Sequence, residues 1–390
     1  MAKKNKCCGT KDPKRLNKVG GQAVLEGVMM KAGERTVTTC RKEDGSIVVN
    51  DAKFVSVRKK HKILNIPILR GVINFVEMMA LSFKTLSASA DALGIEEEDG
   101  KCEVWLKKHL GIRLTDLIMV ISMILGIALS LFLFMFLPTW AANGINRLAV
   151  LLGAQSGLNS NLLAAIEGGM KVLIFLVYLI LVSLIPDIYR TFQYHGAEHK
   201  SIACFESGDE LTPENAMKHK RFHPRCGTSF MFLMILIGIF IGMFVRYILP
   251  DASAFGNSEF LYSVVIASVK ILLLPITMGV GYEILMLAGK HDNFLTRIIS
   301  APGLWVQRIT TKEPTEDMLE IAIISIKCAL RDEFPEFNEF YESKAWEEKP
   351  EEPAAEETEN ADAPATEEST ESAEESEEPT EAKDEAVTSD

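Results

Sequence analysis

The chain has 390 residues, of which 48% are hydrophobic and 24% charged, with a formal net charge of −12. A mean hydropathy of +0.13 beside that many charges requires the apolar residues to be gathered into runs, which excludes a set of ordinary soluble domains. The negative balance is local: Glu347–Asp390 carries 19 Asp/Glu and two Lys, so everything before it sums to +5, the sign suited to anionic headgroups at the inner face of a membrane.

The first residues, 1–18, are basic and without an apolar core before a cleavage site, so a disordered N-terminus and no cleaved signal peptide are expected. Seven scattered cysteines, an odd number, argue against a secreted disulfide framework and for a reducing compartment. Residues 19–62 read as a small β-containing cytoplasmic segment. Within it, Gly20-Gly21-Gln22-Ala23-Val24-Leu25-Glu26-Gly27 lacks the Gly-Lys-Ser/Thr end of a phosphate loop and reads as a turn-rich docking segment, with Gln22 and Glu26 as polar groups among apolar neighbours. The β-branched runs Thr36–Thr39 and Ile47–Val49 flank an Asp44-Gly45 turn signal, which predicts a β-hairpin over Arg35–Arg58, with a third strand near Phe54–Val57.

Residues 63–112 read as an amphipathic helix and a linker. The helix opens at Pro67 and runs to about Ser89, with Arg70, Asn74, Glu77, Leu81 and Lys84 as a mostly polar stripe on an apolar cylinder. That pattern suits a helix lying in the membrane interface or packed on a bundle.

Residues 113–290 read as a transmembrane bundle of four spans. Leu117–Leu137 is an uncharged run close to the ~20 residues that cross a bilayer core. Val172–Ile185 is extendable upstream through Leu162–Ile166 with Glu167 turned toward protein. Ser229–Val245 and one span within Leu261–Ala288 complete the set. Six Lys/Arg over Arg190–Arg225, against only Arg147 in Pro138–Met170 and none in Pro250–Leu261, place both termini and a loop over 187–228 in the cytoplasm. Residues 291–345 read as a cytoplasmic helical segment, and 346–390 as a low-complexity acidic tail too polar to fold. The predicted fold is therefore mainly α: a polytopic helical membrane protein with a small N-terminal β-containing cytoplasmic domain and a disordered C-terminal tail.

The chemistry concentrates in the cytoplasmic loop. His195 and His199 stand at i and i+4, so on a helix both imidazoles reach one ion. Glu198 between them makes His-x-x-Glu-His, an inverted zinc-protease arrangement. His223-Pro-Arg-Cys226 adds an imidazole and a thiol three residues apart, and His219 a further imidazole. This donor set suits Zn²⁺ better than Mg²⁺ or Ca²⁺. Two arrangements are open. A closed structural site of His195, His199, His223 and Cys226 would staple the loop. A catalytic site would use three ligands, a water, and Glu198 as general base.

Lys270 and Glu283 on one straight helix would lie about 20 Å apart, less than the bilayer core, so at least one approaches lipid depth. Glu283, near the cytoplasmic end, is a candidate further ligand or partner orienting a His, and equally a salt-bridge partner of an Arg such as Arg190. No nucleic-acid motif is legible, because the basic residues are not interleaved with aromatics.

Gly-Gly-Gln-Ala-Val-Leu-Glu-Gly-Val-Met-Met (20–30), His-Gly-Ala-Glu-His-Lys (195–200), His-Pro-Arg-Cys-Gly-Thr-Ser-Phe (223–230) and Pro-Gly-Leu-Trp-Val-Gln-Arg-Ile-Thr-Thr-Lys-Glu-Pro (302–314) together resemble the bacterial YqhQ-like family of membrane proteins over roughly Lys18–Pro335. The resemblance implies a bacterial inner-membrane protein with a metal site, in a family described as predicted metal-dependent enzymes without an established substrate.

The leading expectation is thus a zinc-dependent membrane enzyme, hydrolytic in type. The alternative is a non-enzymatic scaffold with structural zinc. A transporter using Lys270 and Glu283 is disfavoured, because four spans show no internal repeat. The bilayer is the expected partner, and homo-oligomers are compatible with this design.

Overall fold

The computed structural model describes residues 12–94, 114–154, 157–223, 226–249, 259–290 and 293–337. Most of the basic N-terminal stretch, Cys102, the Glu96–Glu98 run and the acidic tail lie outside the described residues.

Four antiparallel strands, β1 (Val19–Val24), β2 (Gly27–Ala32), β3 (Arg35–Arg41) and β4 (Ile47–Lys53), pair in sequence order as a meander. The β3–β4 hairpin turns at Asp44-Gly45, as the turn signal predicts. Gly45 has φ 81°, and Asp44 Oδ1 accepts from the Ser46 N–H at 2.8 Å. The other two strands are the glycine-rich segment read as a docking loop. Glu26, at φ 47°, supplies the left-handed turn between them. Gly27 lets β3 close in, since a β-carbon there would lie 2.2 Å from Thr39 O. Phe54–Val57, expected as a further strand, is irregular and leads into a one-turn helix at Val57–Lys60, where Ser56 caps the Arg58 N–H.

The strands have alternating faces. Val28, Met30, Val37 and Val49 point into one core. Val24, Met29 and Cys40 point into another, which they share with Leu81 of α1 (Leu69–Ala92). The sheet is therefore covered on both sides, and neither face can be wetted.

The apolar helices follow. α2 (Leu114–Leu131), a π-helical turn at Phe132–Phe136 and α3 (Leu137–Leu151) form one continuous rod. The first apolar helix is thus longer than the run ending at Leu137, with Pro138 accommodated by the π-helical turn immediately before it. α4 (Ser160–Val182) takes the upstream extension, and Glu167 on it is 3% exposed. It accepts from Lys171 Nζ at 2.9 Å and Lys270 Nζ at 2.6 Å, so burial of the charge is offset by pairing.

The stretch 187–228, expected as a loop, is mostly helical: α5 (Pro186–Ser207) and the short α6 (Pro213–Met217). α7 (Gly227–Ile248) follows. The last expected span is two helices, α8 (Glu259–Leu272) and α9 (Leu274–Lys290). They are bent by 47° at a short break, just before Pro275, whose ring cannot continue a straight hydrogen-bond ladder. Lys270 and Glu283 are consequently on different helices, and the straight-helix spacing does not apply. By length and composition, three helices among the described residues can cross a membrane (Ile121–Leu151, Asn161–Val182 and Gly227–Val245), or four if the bent pair is one span. This is consistent with a multi-pass membrane protein.

The C-terminal segment forms α10 (Phe294–Thr310) and α11 (Glu316–Ala329). α11 does not stand apart. Met318, Leu319, Ile321, Ala322 and Ile326 join Tyr194, Ile202 and Phe205 of α5 and the sheet in one core. Ser325 Oγ on α11 donates to the carbonyls of Val28 and Val37 at 3.2 and 2.9 Å. Sheet, His-bearing helix and C-terminal helix are one folding unit, built from three distant stretches of chain.

Candidate metal centre

α5 begins with Pro186 at its first turn and ends at Gly208 in the left-handed conformation, the pairing of start and stop residues that defines a free-standing helix. Its middle turn, Tyr194–Ile202, is buried apart from His195. That places the candidate ligand side chains of this helix against protein rather than water.

Thr311–Pro314 runs alongside this turn. Lys312 N donates to Phe192 O at 2.8 Å and Gln193 Nε2 to Glu313 O at 3.1 Å. The approach is close enough that a β-carbon on Gly196 would sit 1.9 Å from Lys312 O. Glycine in His-Gly-Ala-Glu-His is therefore a packing requirement.

Backbone carbonyls set both imidazoles. His195 Nδ1 lies 2.9 Å from Thr310 O, and His199 Nδ1 lies 2.5 Å from Arg221 O. A carbonyl can only accept, so each Nδ1 carries the hydrogen and each Nε2 presents a lone pair. The two rings are 4.5 Å apart centroid to centroid. Cys226, the residue capping α7 at its N-terminus, brings Sγ to 3.2 Å from His195 Nε2 and to 3.2 Å from Thr228 Oγ1. The ligating atoms of His195, His199 and Cys226 all lie within 4.8 Å of one another, so this cluster could hold a metal ion. Two imidazole lone pairs oriented by carbonyls and one thiol fit the donor set and outer-shell pattern of a transition-metal site.

Glu198 is buried at the edge of this cluster. Its Oε2 is 3.7 Å from both Nε2 atoms. Burial pushes its carboxyl up to about 7, opposed by the neighbouring His195 and by a hydrogen bond from the Gly21 N–H. His223 stands beside the cluster, its ring 5.6 Å from that of His199 and its Nε2 3.8 Å from Glu206 Oε2. His219 is hydrogen-bonded to Asp209 at 2.9 Å. Glu283 is held elsewhere, by the Arg70 guanidinium at 2.7 and 2.5 Å and by the Ile68 N–H at 3.4 Å. Its ion-pair partner is thus Arg70 rather than Arg190, which pairs with Glu26.

Several residues that shape the centre lie outside the predicted ligand set. Gln307, fully buried on α10, accepts from the His223 N–H at 2.8 Å and donates to His223 O at 2.8 Å and Ser229 Oγ at 3.0 Å. It pins the segment bearing Cys226. Gly303 allows α10 onto α7, since a β-carbon there would be 2.6 Å from Ser229. Gly21, Thr310 and Glu206 complete the surroundings. The signal for Gln307 was its place in the string 302–314, where it follows the apolar Leu304-Trp305-Val306 and precedes Arg308.

A profile of the family described as "Protein of unknown function (DUF1385)" matches residues 66–332, a stretch that contains α5, Cys226 and α10. The chain is also similar to the "Uncharacterized protein YqhQ" of Bacillus subtilis (strain 168), at 36% identity over 319 residues covering 80% of this chain and 92% of that protein. No solved structure matches. With more than half of its length inside the profile and that degree of identity to YqhQ, the chain belongs to the DUF1385 family of YqhQ-like proteins.

Proposed function

We propose that this protein is a multi-pass membrane protein with both termini in the cytoplasm, which binds zinc through His195, His199 and Cys226 and hydrolyses a substrate at that site. The observation that carries the reading is the shared orientation of the two imidazoles. Both Nδ1 atoms are committed to carbonyls and both Nε2 atoms converge with one thiol, a three-ligand set one short of a tetrahedral shell. Zinc bound there supplies Lewis acidity and lowers the pKa of water. Glu198, buried and 3.7 Å from each Nε2, would accept the proton of the attacking water and return it to the leaving group.

The burial of His199, Glu198 and Cys226 favours a second reading, a structural zinc that locks α5 to the start of α7. In that case His223 would supply the fourth donor.

Metal analysis and X-ray absorption on the purified chain separate the two. One zinc with two imidazoles, one sulfur and an exchangeable oxygen is expected. Glu198→Gln should keep the metal and fail to complement a deletion strain. A shell made only of protein donors, with Glu198→Gln fully functional, would establish the structural reading instead.

A further inference from the structure

α1 has two apolar sides, and the fold covers only one of them. Gly71, Leu81, Thr85, Ser89 and Ala92 are buried. A β-carbon at Gly71 would lie 2.7 Å from Tyr282 and 3.0 Å from Gly279 on α9, and Leu81 packs with Val24, Met29 and Cys40 of the sheet. On the other side Val76, Met79, Phe83 and Leu86, spaced by three and four residues, are 59%, 56%, 51% and 45% exposed. The segment leading into the helix adds Ile63 and Ile66, 77% and 52% exposed. A stripe of that length is more than scattered surface apolarity.

We infer that this face of α1 lies in the interfacial layer of an anionic bilayer, with Val76, Met79, Phe83 and Leu86 against acyl chains.

Two observations identify lipid as the occupant. The first is continuity with the apolar helices. Phe75 of α1 is 6.0 Å, ring to ring, from Phe230 in the first turn of α7, and Glu283 of α9 holds Arg70 and the Ile68 N–H. α1 thus sits at the end of the candidate spans, between them and the sheet, and its free stripe extends their exposed surface. The second is charge. Lys60 and Lys84 are exposed near the stripe, the flanking pattern of a helix lying in the plane of an anionic surface. Arg70, Glu77, Lys84 and Asp91 along α1 are too many charges for it to cross the bilayer.

This placement reaches the metal centre. Ser82 Oγ donates to Gln22 Oε1 at 2.5 Å and Gln22 Nε2 donates to Thr85 Oγ1 at 2.5 Å. The adjacent Gly21 packs on Glu198, where a β-carbon would stand 3.0 Å from Cγ. The lipid-facing helix therefore holds the strand that packs on Glu198.

The test uses the full chain in nanodiscs containing phosphatidylglycerol. Cys7, Cys8 and Cys102 are replaced by serine, the buried Cys40, Cys204, Cys226 and Cys328 are kept, and Phe83→Cys is labelled with an environment-sensitive fluorophore. Phe83 is exposed, so the change leaves the cores intact. A nitroxide high on the lipid acyl chain should quench the label about two-fold or more, while aqueous iodide should leave it nearly untouched, as expected for a face ~5–10 Å below the headgroup boundary. Iodide quenching equal to that of a label in water would overturn the inference. So would protection from iodide that disappears when each disc holds a single copy, because the occupant would then be a second copy of this chain.

Discussion

Gly21 packs directly on the buried Glu198: a β-carbon at position 21 would stand 3.0 Å from Glu198 Cγ, 2.7 Å from Met30 Sδ and 2.6 Å from Met29 O. The methionine carbonyl belongs to the paired strand and cannot swing aside. Gly21→Ala should therefore cost about 1–3 kcal/mol through overpacking, read as a lowered thermal midpoint in detergent. An unchanged midpoint would mean that β1 is not held where the sheet places it.

Gly196→Ala tests the other wall of the centre. With Lys312 O 1.9 Å from the added carbon, the Thr310–Pro314 segment must move away from α5. His195 Nδ1 then loses the Thr310 carbonyl that orients it. Zinc affinity, titrated against a competing chelator, should fall about 10–100-fold, as for loss of an outer-shell partner. Wild-type affinity in this variant would remove Thr310 from the site.

Gln307→Leu keeps the volume and removes three hydrogen bonds at once. The His223 N–H, the His223 carbonyl and the Ser229 hydroxyl are left without this partner in a buried setting. Each such group costs about 1–3 kcal/mol, and the segment carrying Cys226 loosens. We expect a lower thermal midpoint together with weaker zinc binding. Weaker stability with intact zinc binding would separate the pin from the centre.

Glu283→Gln should do the reverse. Its carboxylate serves Arg70 and the Ile68 N–H, and Ile68 is a β-branched residue at φ 68°, a strained start to α1 that needs support. Hydrogen exchange over the first turn of α1 should rise, while metal content stays at the wild-type value. Loss of metal would return Glu283 to the candidate ligands.

His195 and His199 were legible as a candidate pair because their i, i+4 spacing acts within one helical turn, whereas only the fold brings Cys226 to them. The apolar helices were legible for the same reason: a run of uncharged residues acts through its own length. Glu167 was expected to face protein because a charge in an apolar run leaves little other choice, and its two lysine partners bear that out. What pairing over long separations decides was not legible. The glycine-rich strands β1 and β2 have too little local β-propensity to be recognised, and become strands because Gly21 and Gly27 let backbones and Glu198 approach. α11 completes the core of a sheet nearly 300 residues earlier in the chain through contacts such as Ser325 with Val28. His223 and Cys226 look equivalent in sequence. Tertiary structure alone turns one toward Glu206 and the other toward His195, with Gln307 holding the His223 backbone and the Ser229 hydroxyl on either side of Cys226.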